Sequence, residues 1–163
     1  MKFVEENGVV RQLLADAKIP RMALVRQNFP RPTVADVPAR VRELVMQEKY
    51  ASTIQPGMRI TITCGSRGIA NIKYVIREVC RCVKELGATP YIIPSMGSHG
   101  GATAEGQRQI IEGYGVTEEF CGAQILSDMH VVKIGQTEDG RDVFIDRNAA
   151  NADGIIVVGR IKP

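Results

Sequence analysis

The sequence predicts an α/β protein: a Rossmann-like three-layer domain with a mainly parallel sheet and an added β-hairpin. Three observations lead there. Residues 59–93 run strand, glycine loop, amphipathic helix, strand; a second glycine loop and helix follow at once; and Gly154-Ile155-Ile156-Val157-Val158 has the unbroken apolar character of a central, buried parallel strand. At 163 residues the chain is one domain's worth, and 44% hydrophobic with 24% charged residues is the balance of an ordinary globular protein.

In chain order, residues 1–57 form a lead-in, expected to supply helices and a strand that pack on the domain. Gly8 to Ala17 suits a short helix and Met22–Arg26 a strand, while Pro30-Arg31-Pro32-Thr33 is a stretch no helix crosses. Pro38 fits the first turn of a helix whose Val41, Leu44 and Val45 recur at helical spacing. Gln55-Pro56-Gly57 turns the chain into the main domain, residues 58–163.

There, Arg59 to Thr63 is a strand, Cys64-Gly65-Ser66-Arg67-Gly68 a loop, Ile69 to Leu86 a helix stopped by Gly87, and Thr89 to Ile93 a second strand. Ile69, Ile72, Val75 or Ile76, Val79, Cys80, Val83 and Leu86 share one face of that helix, as packing on a sheet requires, and the crossover is expected to be right-handed. The loop Ser95-Met96-Gly97-Ser98-His99-Gly100-Gly101 precedes a helix over Ala104–Glu112. Val116–Glu119 can start a helical turn, Ala123–Leu126 a short strand, and Val131–Gln136 with Asp142–Ile145 a hairpin.

The totals exclude several classes. A net charge of +3 with scattered basic residues and no aromatic RNA-binding pattern argues against nucleic acid. No apolar run nears the ~18 residues of a membrane span, and the first residues lack a signal-peptide core, which gives a cytoplasmic expectation. Cys64, Cys80, Cys82 and Cys121 match no zinc or redox spacing and read as buried free thiols; no metal site is expected of them. His130 has no companion at ligand spacing and reads as a surface residue.

Parallel strands put both glycine loops at one sheet edge, where α/β proteins bind ligands. His99 is the group there that exchanges a proton near neutral pH. Arg67, at a helix start, either grips a phosphate or carboxylate or merely faces solvent. Glycine loops of this kind also serve as plain turns, and local pattern does not separate the two uses.

Three segments together resemble the nickel-dependent lactate racemase (LarA-like) family, in its N-terminal domain: Cys64-Gly65-Ser66-Arg67; Pro94-Ser95-Met96-Gly97-Ser98-His99-Gly100-Gly101-Ala102-Thr103-Ala104-Glu105-Gly106-Gln107; and Asp146-Arg147-Asn148-Ala149 through Val157-Val158-Gly159-Arg160-Ile161-Lys162-Pro163. The resemblance implies a 2-hydroxy acid racemase or epimerase that uses a nickel-pincer nucleotide, takes a hydride from the α-carbon and returns it, with histidines exchanging the hydroxyl proton. It puts the first such histidine at His99 and an anion-contacting arginine at Arg67, with Gly65, Ser66, Ser98 and Gly100 as further substrate- or cofactor-binding candidates. The family's second histidine, tether lysine and nickel ligand would follow Pro163, so the chain is expected to be an amino-terminal fragment, inactive alone, whose partner is its C-terminal domain; homo-oligomerisation is left open. The sequence departs from the lactate racemase pattern D-x-T-R-P, with Cys64 for the aspartate and Gly68 for the proline, which bears on whether lactate itself is the substrate. The rival reading is a non-catalytic anion- or nucleotide-binding module.

Overall fold

The computed structural model of the chain describes residues 8–18, 20–30, 32–66 and 68–160. The chain divides into two compact units at Thr33/Val34. In the first, Val9–Leu13 forms helix α1. The strand expected over Met22–Arg26 is not formed: residues 20–30 join no ladder, and Met22, Leu24 and Val25 are exposed. Proline at positions 20, 30 and 32 keeps a helix from crossing either end of this stretch, and β-propensity without a partner strand makes no sheet.

The second unit opens with α2 (Val37–Val45), capped by Asp36, whose Oδ1 accepts from the Ala39 amide at 2.9 Å, and with Pro38 in its first turn. A short helix α3 (Glu48–Ala51) follows, then strand β1 (Arg59–Cys64), helix α4 (Ile72–Glu85) and strand β2 (Thr89–Pro94). After the second glycine loop come α5 (Ala104–Gly113), α6 (Glu118–Cys121), β3 (Gln124–Ile125), the hairpin β4 (Val131–Gln136) and β5 (Asp142–Asp146), α7 (Arg147–Ala150), and β6 (Gly154–Ile156). The main sheet is parallel in the order β3-β2-β1-β6, and the hairpin is a separate antiparallel pair. This is the α/β architecture the sequence predicts.

Ile60 and Ile62 of β1 and Ile92 of β2 stand in register on one sheet face and meet Ile72, Ile76, Val79, Cys80 and Val83 of α4. Ile111, Val116, Cys121 and Ile125 complete that core. Thr61 and Ile93 point the other way and are buried as well, so the middle strands are covered on both faces. Helix α2 lies on α4, with Val41 and Val45 against the core and Arg42 bonded to Glu85 at 2.6 Å.

Two expectations need correction. Helix α4 begins at Ile72, three residues later than the apolar pattern suggests, because Asn71 adopts a left-handed conformation (φ 60) that a continuing helix cannot contain. And β6 is not central. It pairs with β1 alone among the described residues, leaving Ile155 43% and Val157 78% exposed. An apolar run reports what a strand can bury, not how many neighbours it has.

Candidate functional site

Strands β1 and β2 end side by side, and the Ser95 amide still donates to the Cys64 carbonyl at 2.9 Å. The loops that follow therefore leave the same sheet edge together. A third strip of chain joins them: the Thr63 hydroxyl accepts from the Val158 amide at 2.9 Å and lies 3.3 Å from its carbonyl, which carries residues 157–160 alongside β1 past the last ladder pair. Between the three strips is a cleft of about 510 Å3, bordered by Gly65, Ser66, Gly68, His99, Val158 and Arg160 among others. That is the size range of small-molecule sites.

His99 enters from a tight 3-10 turn, His99–Ala102, in which Gly100 and Gly101 have φ of 65 and 66. Its Nδ1 sits 2.6 Å from the Ser66 hydroxyl, so the two loops touch through this pair. The turn is pressed directly on the start of α5. A side chain at Gly100 would come within 2.4–2.7 Å of the Gly106 and Gln107 backbone, and one at Gly106 within 2.0 Å of the Gly100 carbonyl oxygen. Gln107 is buried and donates from Nε2 to the Gly97 carbonyl at 2.8 Å, and the Thr103 hydroxyl bonds the Gly100 carbonyl while accepting from the Gly106 amide. Glycines at 100 and 106 thus serve close backbone approach rather than mere turning.

Of the residues singled out from sequence, the structure brings Gly65, Ser66 and His99 together at the cleft. Ser98 is exposed and Gly100 is packed on α5; neither borders the cavity. Arg67 lies outside the described residues. The helix-start anion site expected at these loops does not form the cleft, because α4 begins beyond the loop and the Thr103 side chain already occupies the amide end of α5. Thr63, Gln107 and Arg160 were not foreseen. A threonine at a strand's end, a glutamine one turn into a helix and an arginine after an apolar run carry no local signal of what they meet across the sheet.

Cys64 belongs to the core. It is fully buried against α4, and burial, reinforced by the neighbouring Cys121, pushes its thiol up to about 12. The position where the lactate racemases carry aspartate therefore holds an uncharged group turned away from solvent. The other three cysteines are also buried and free. Among the described residues no group of three or more His, Cys, Asp or Glu side chains stands together to hold a metal ion, and His130 is exposed beside Asp128. A second concavity of about 410 Å3, lined by Leu44, Val45, Ile54, Met58 and Ile156, is apolar, and its one carboxylate, Asp153, is engaged by the Arg59 amide at 2.7 Å. No helix among the described residues is long and apolar enough to cross a membrane.

The family model described as the lactate racemase N-terminal domain matches residues 13–163. No curated protein and no solved structure matches the chain.

Proposed function

Because this chain belongs to the lactate racemase N-terminal domain family, we propose that it contributes acid/base chemistry to the interconversion of the two mirror forms of a 2-hydroxy acid, with His99 moving the hydroxyl proton. The observation that carries this reading is the 2.6 Å contact between His99 Nδ1 and the Ser66 hydroxyl at the cleft wall. A hydroxyl both donates and accepts. When Nε2 is bare the neutral ring donates from Nδ1–H to the Ser66 oxygen, and when Nε2 has taken the alcohol's proton the imidazolium ring still donates from Nδ1–H to it. The ring keeps its partner on both sides of a proton transfer, which suits a reaction that takes the alcohol's proton in one half and returns it in the other. A carboxylate in place of Ser66 would favour one tautomer.

Gly65 and Ser66 border the substrate in this reading, while Ser98 and Gly100 act on the turn that presents His99. Arg67 keeps its anion-contacting role on the resemblance. Family membership suggests a nickel-pincer nucleotide, but the described residues do not fit a metal: the cleft offers a single imidazole and no lysine, and its nearest thiol, Cys64, is buried and protonated. We therefore assign the ligands of such a group to a partner domain and route no step through it.

Chiral chromatography of single-enantiomer 2-hydroxy acids, incubated with the chain together with its C-terminal partner domain from a host that supplies the nucleotide, tests the reading. Interconversion of at least one acid is expected, with a loss of about 10²-fold or more in His99→Gln. Wild-type rates in H99Q would remove His99 from the mechanism, and no interconversion of any short-chain 2-hydroxy acid would remove the substrate class. A non-catalytic anion-binding module is favoured by one observation, the neutral buried Cys64 at the aspartate position; on that reading 2-hydroxy acids bind without turnover.

A further inference from the structure

We propose that Arg160 and Gly68 form a carboxylate-holding subsite, in which the Arg160 guanidinium grips the acid group while His99 reaches the hydroxyl, an inference that rests on the hydroxy acid reading above. Arg160 lies along the Gly68 backbone. A Cβ at Gly68 would fall 2.5 Å from Arg160 Nη1, 2.9 Å from Cδ and 3.3 Å from Cζ, and the residue's φ of +78 is one that glycine adopts without strain. The missing side chain at position 68 thus makes the bed on which the arginine arm rests. Here the lactate racemase pattern carries a proline, whose ring would fill that bed and whose φ is fixed near −65°. Both residues border the same cleft as Ser66 and His99.

Among the described residues the arm has no ion-pair partner. Two residues before it, Val158 is fixed to β1 by the Thr63 hydroxyl, so its point of departure is set by the sheet. Arg40, Arg42, Arg81, Arg108, Arg141 and Arg147 each face a carboxylate, and Arg59 and Arg77 lie over the rings of Tyr91 and Phe120. Among the described residues no carboxylate stands within ion-pair distance of Arg160, and none borders the cleft. A guanidinium fork with no carboxylate partner among the described residues, bordering the same cleft as an imidazole and no acidic side chain, matches a small carboxylate whose neighbouring carbon bears a hydroxyl.

Titrating the chain with L-lactate, propionate and inorganic phosphate, read by NMR on the His99 ring, tests this in wild type, Arg160→Gln, Gly68→Ala and Arg67→Gln. Loss of one charge-assisted contact is expected to weaken lactate and propionate alike by roughly tenfold or more in R160Q. G68A, which displaces the arm without removing its charge, is expected to weaken both in the same sense. Wild-type carboxylate binding in R160Q, with or without its loss in R67Q, overturns the subsite, as does the absence of any carboxylate binding by wild type. Phosphate bound more tightly than either acid overturns the choice of carboxylate. If lactate binds no better than propionate yet both are lost in R160Q, the subsite stands and it is the hydroxy acid reading that falls.

Discussion

Replacing Gly106 by alanine sets helix propensity against backbone approach. Alanine is the better helix former by up to about 1 kcal/mol, and on that rule the variant gains stability. The structure predicts the opposite. An ideal Cβ at Gly106 lies 2.0 Å from the Gly100 carbonyl oxygen, whereas ordinary contact begins at 3.4 Å, so the turn carrying His99 has to lift by the difference, about 1.4 Å. The same Cβ lies 2.8 Å from the Thr103 hydroxyl, the cap of α5. Overpacking costs about 1–3 kcal/mol and a weakened cap about 1, against a propensity gain of up to about 1, leaving G106A destabilised by about 1–3 kcal/mol. A lift of that size also takes the 2.6 Å His99–Ser66 contact out of hydrogen-bond range. Gly113→Ala, at the other end of α5 with nothing within 4 Å, is the control and is expected to be neutral or stabilising. Urea midpoints and the His99 ring resonances read both effects. A G106A midpoint at or above that of wild type, with an unmoved His99 signal, would refute the backbone contact and with it the account of how His99 is held.

Three further outcomes follow from the same features. Cys64 and Cys80 are pushed up to about 12 and Cys121 to about 11, against 9.0 for a free thiol, each chiefly by burial. Between about pH 9 and 11 the native thiols keep their protons while the unfolded chain releases its own, so stability is flat below that window and falls as pH rises through it, by at most about 1.4 kcal/mol per pH unit for each such thiol; urea unfolding at pH 8 and pH 10 checks this, and equal stability at both would refute it. Cys64→Asp puts a carboxylate at a fully buried core position and is expected to cost several kcal/mol, far more than Cys64→Ser, in the same unfolding assay; a wild-type midpoint would return this residue to the site. Ser66→Ala removes the partner of His99 Nδ1, so the ring's 15N shifts are expected to move while the urea midpoint changes by about 1 kcal/mol or less; unchanged shifts would mean the contact is not made in solution.

The unit from β1 to β2 was open to reading because its signals agree: apolar strands, a one-faced helix stopped by Gly87, and tight turns at both ends. The hairpin was equally plain, since Asp139-Gly140 separates two β-rich runs, and β4 has the bounds expected from sequence while β5 extends one residue past its own. What escaped was whatever depends on neighbours. Nothing in Met22–Arg26 says that its strand partner is missing, and nothing in Gly154–Val158 says that it lies at an edge. The placement of His99 was visible in outline, as two loops at one sheet edge, but its fastening was not. Gly100 against Gly106 and Gln107 beneath Gly97 are agreements between residues whose meeting only the folded turn creates. Cys64 reads from sequence as a buried free thiol although it adjoins a glycine loop, and the pleat of β1 accounts for it by turning the side chain toward α4.

The hydroxyl of Thr63 imitates main chain, holding the amide of a residue 95 positions later where the strand ladder has already ended. During synthesis, two walls of the cavity can assemble once Gln107 has emerged, but the third waits for Val157 to Arg160. The third wall is therefore the last of the three to be made. A nascent chain passes through a stage in which its imidazole is already made while the arginine that shares its cleft has yet to be translated.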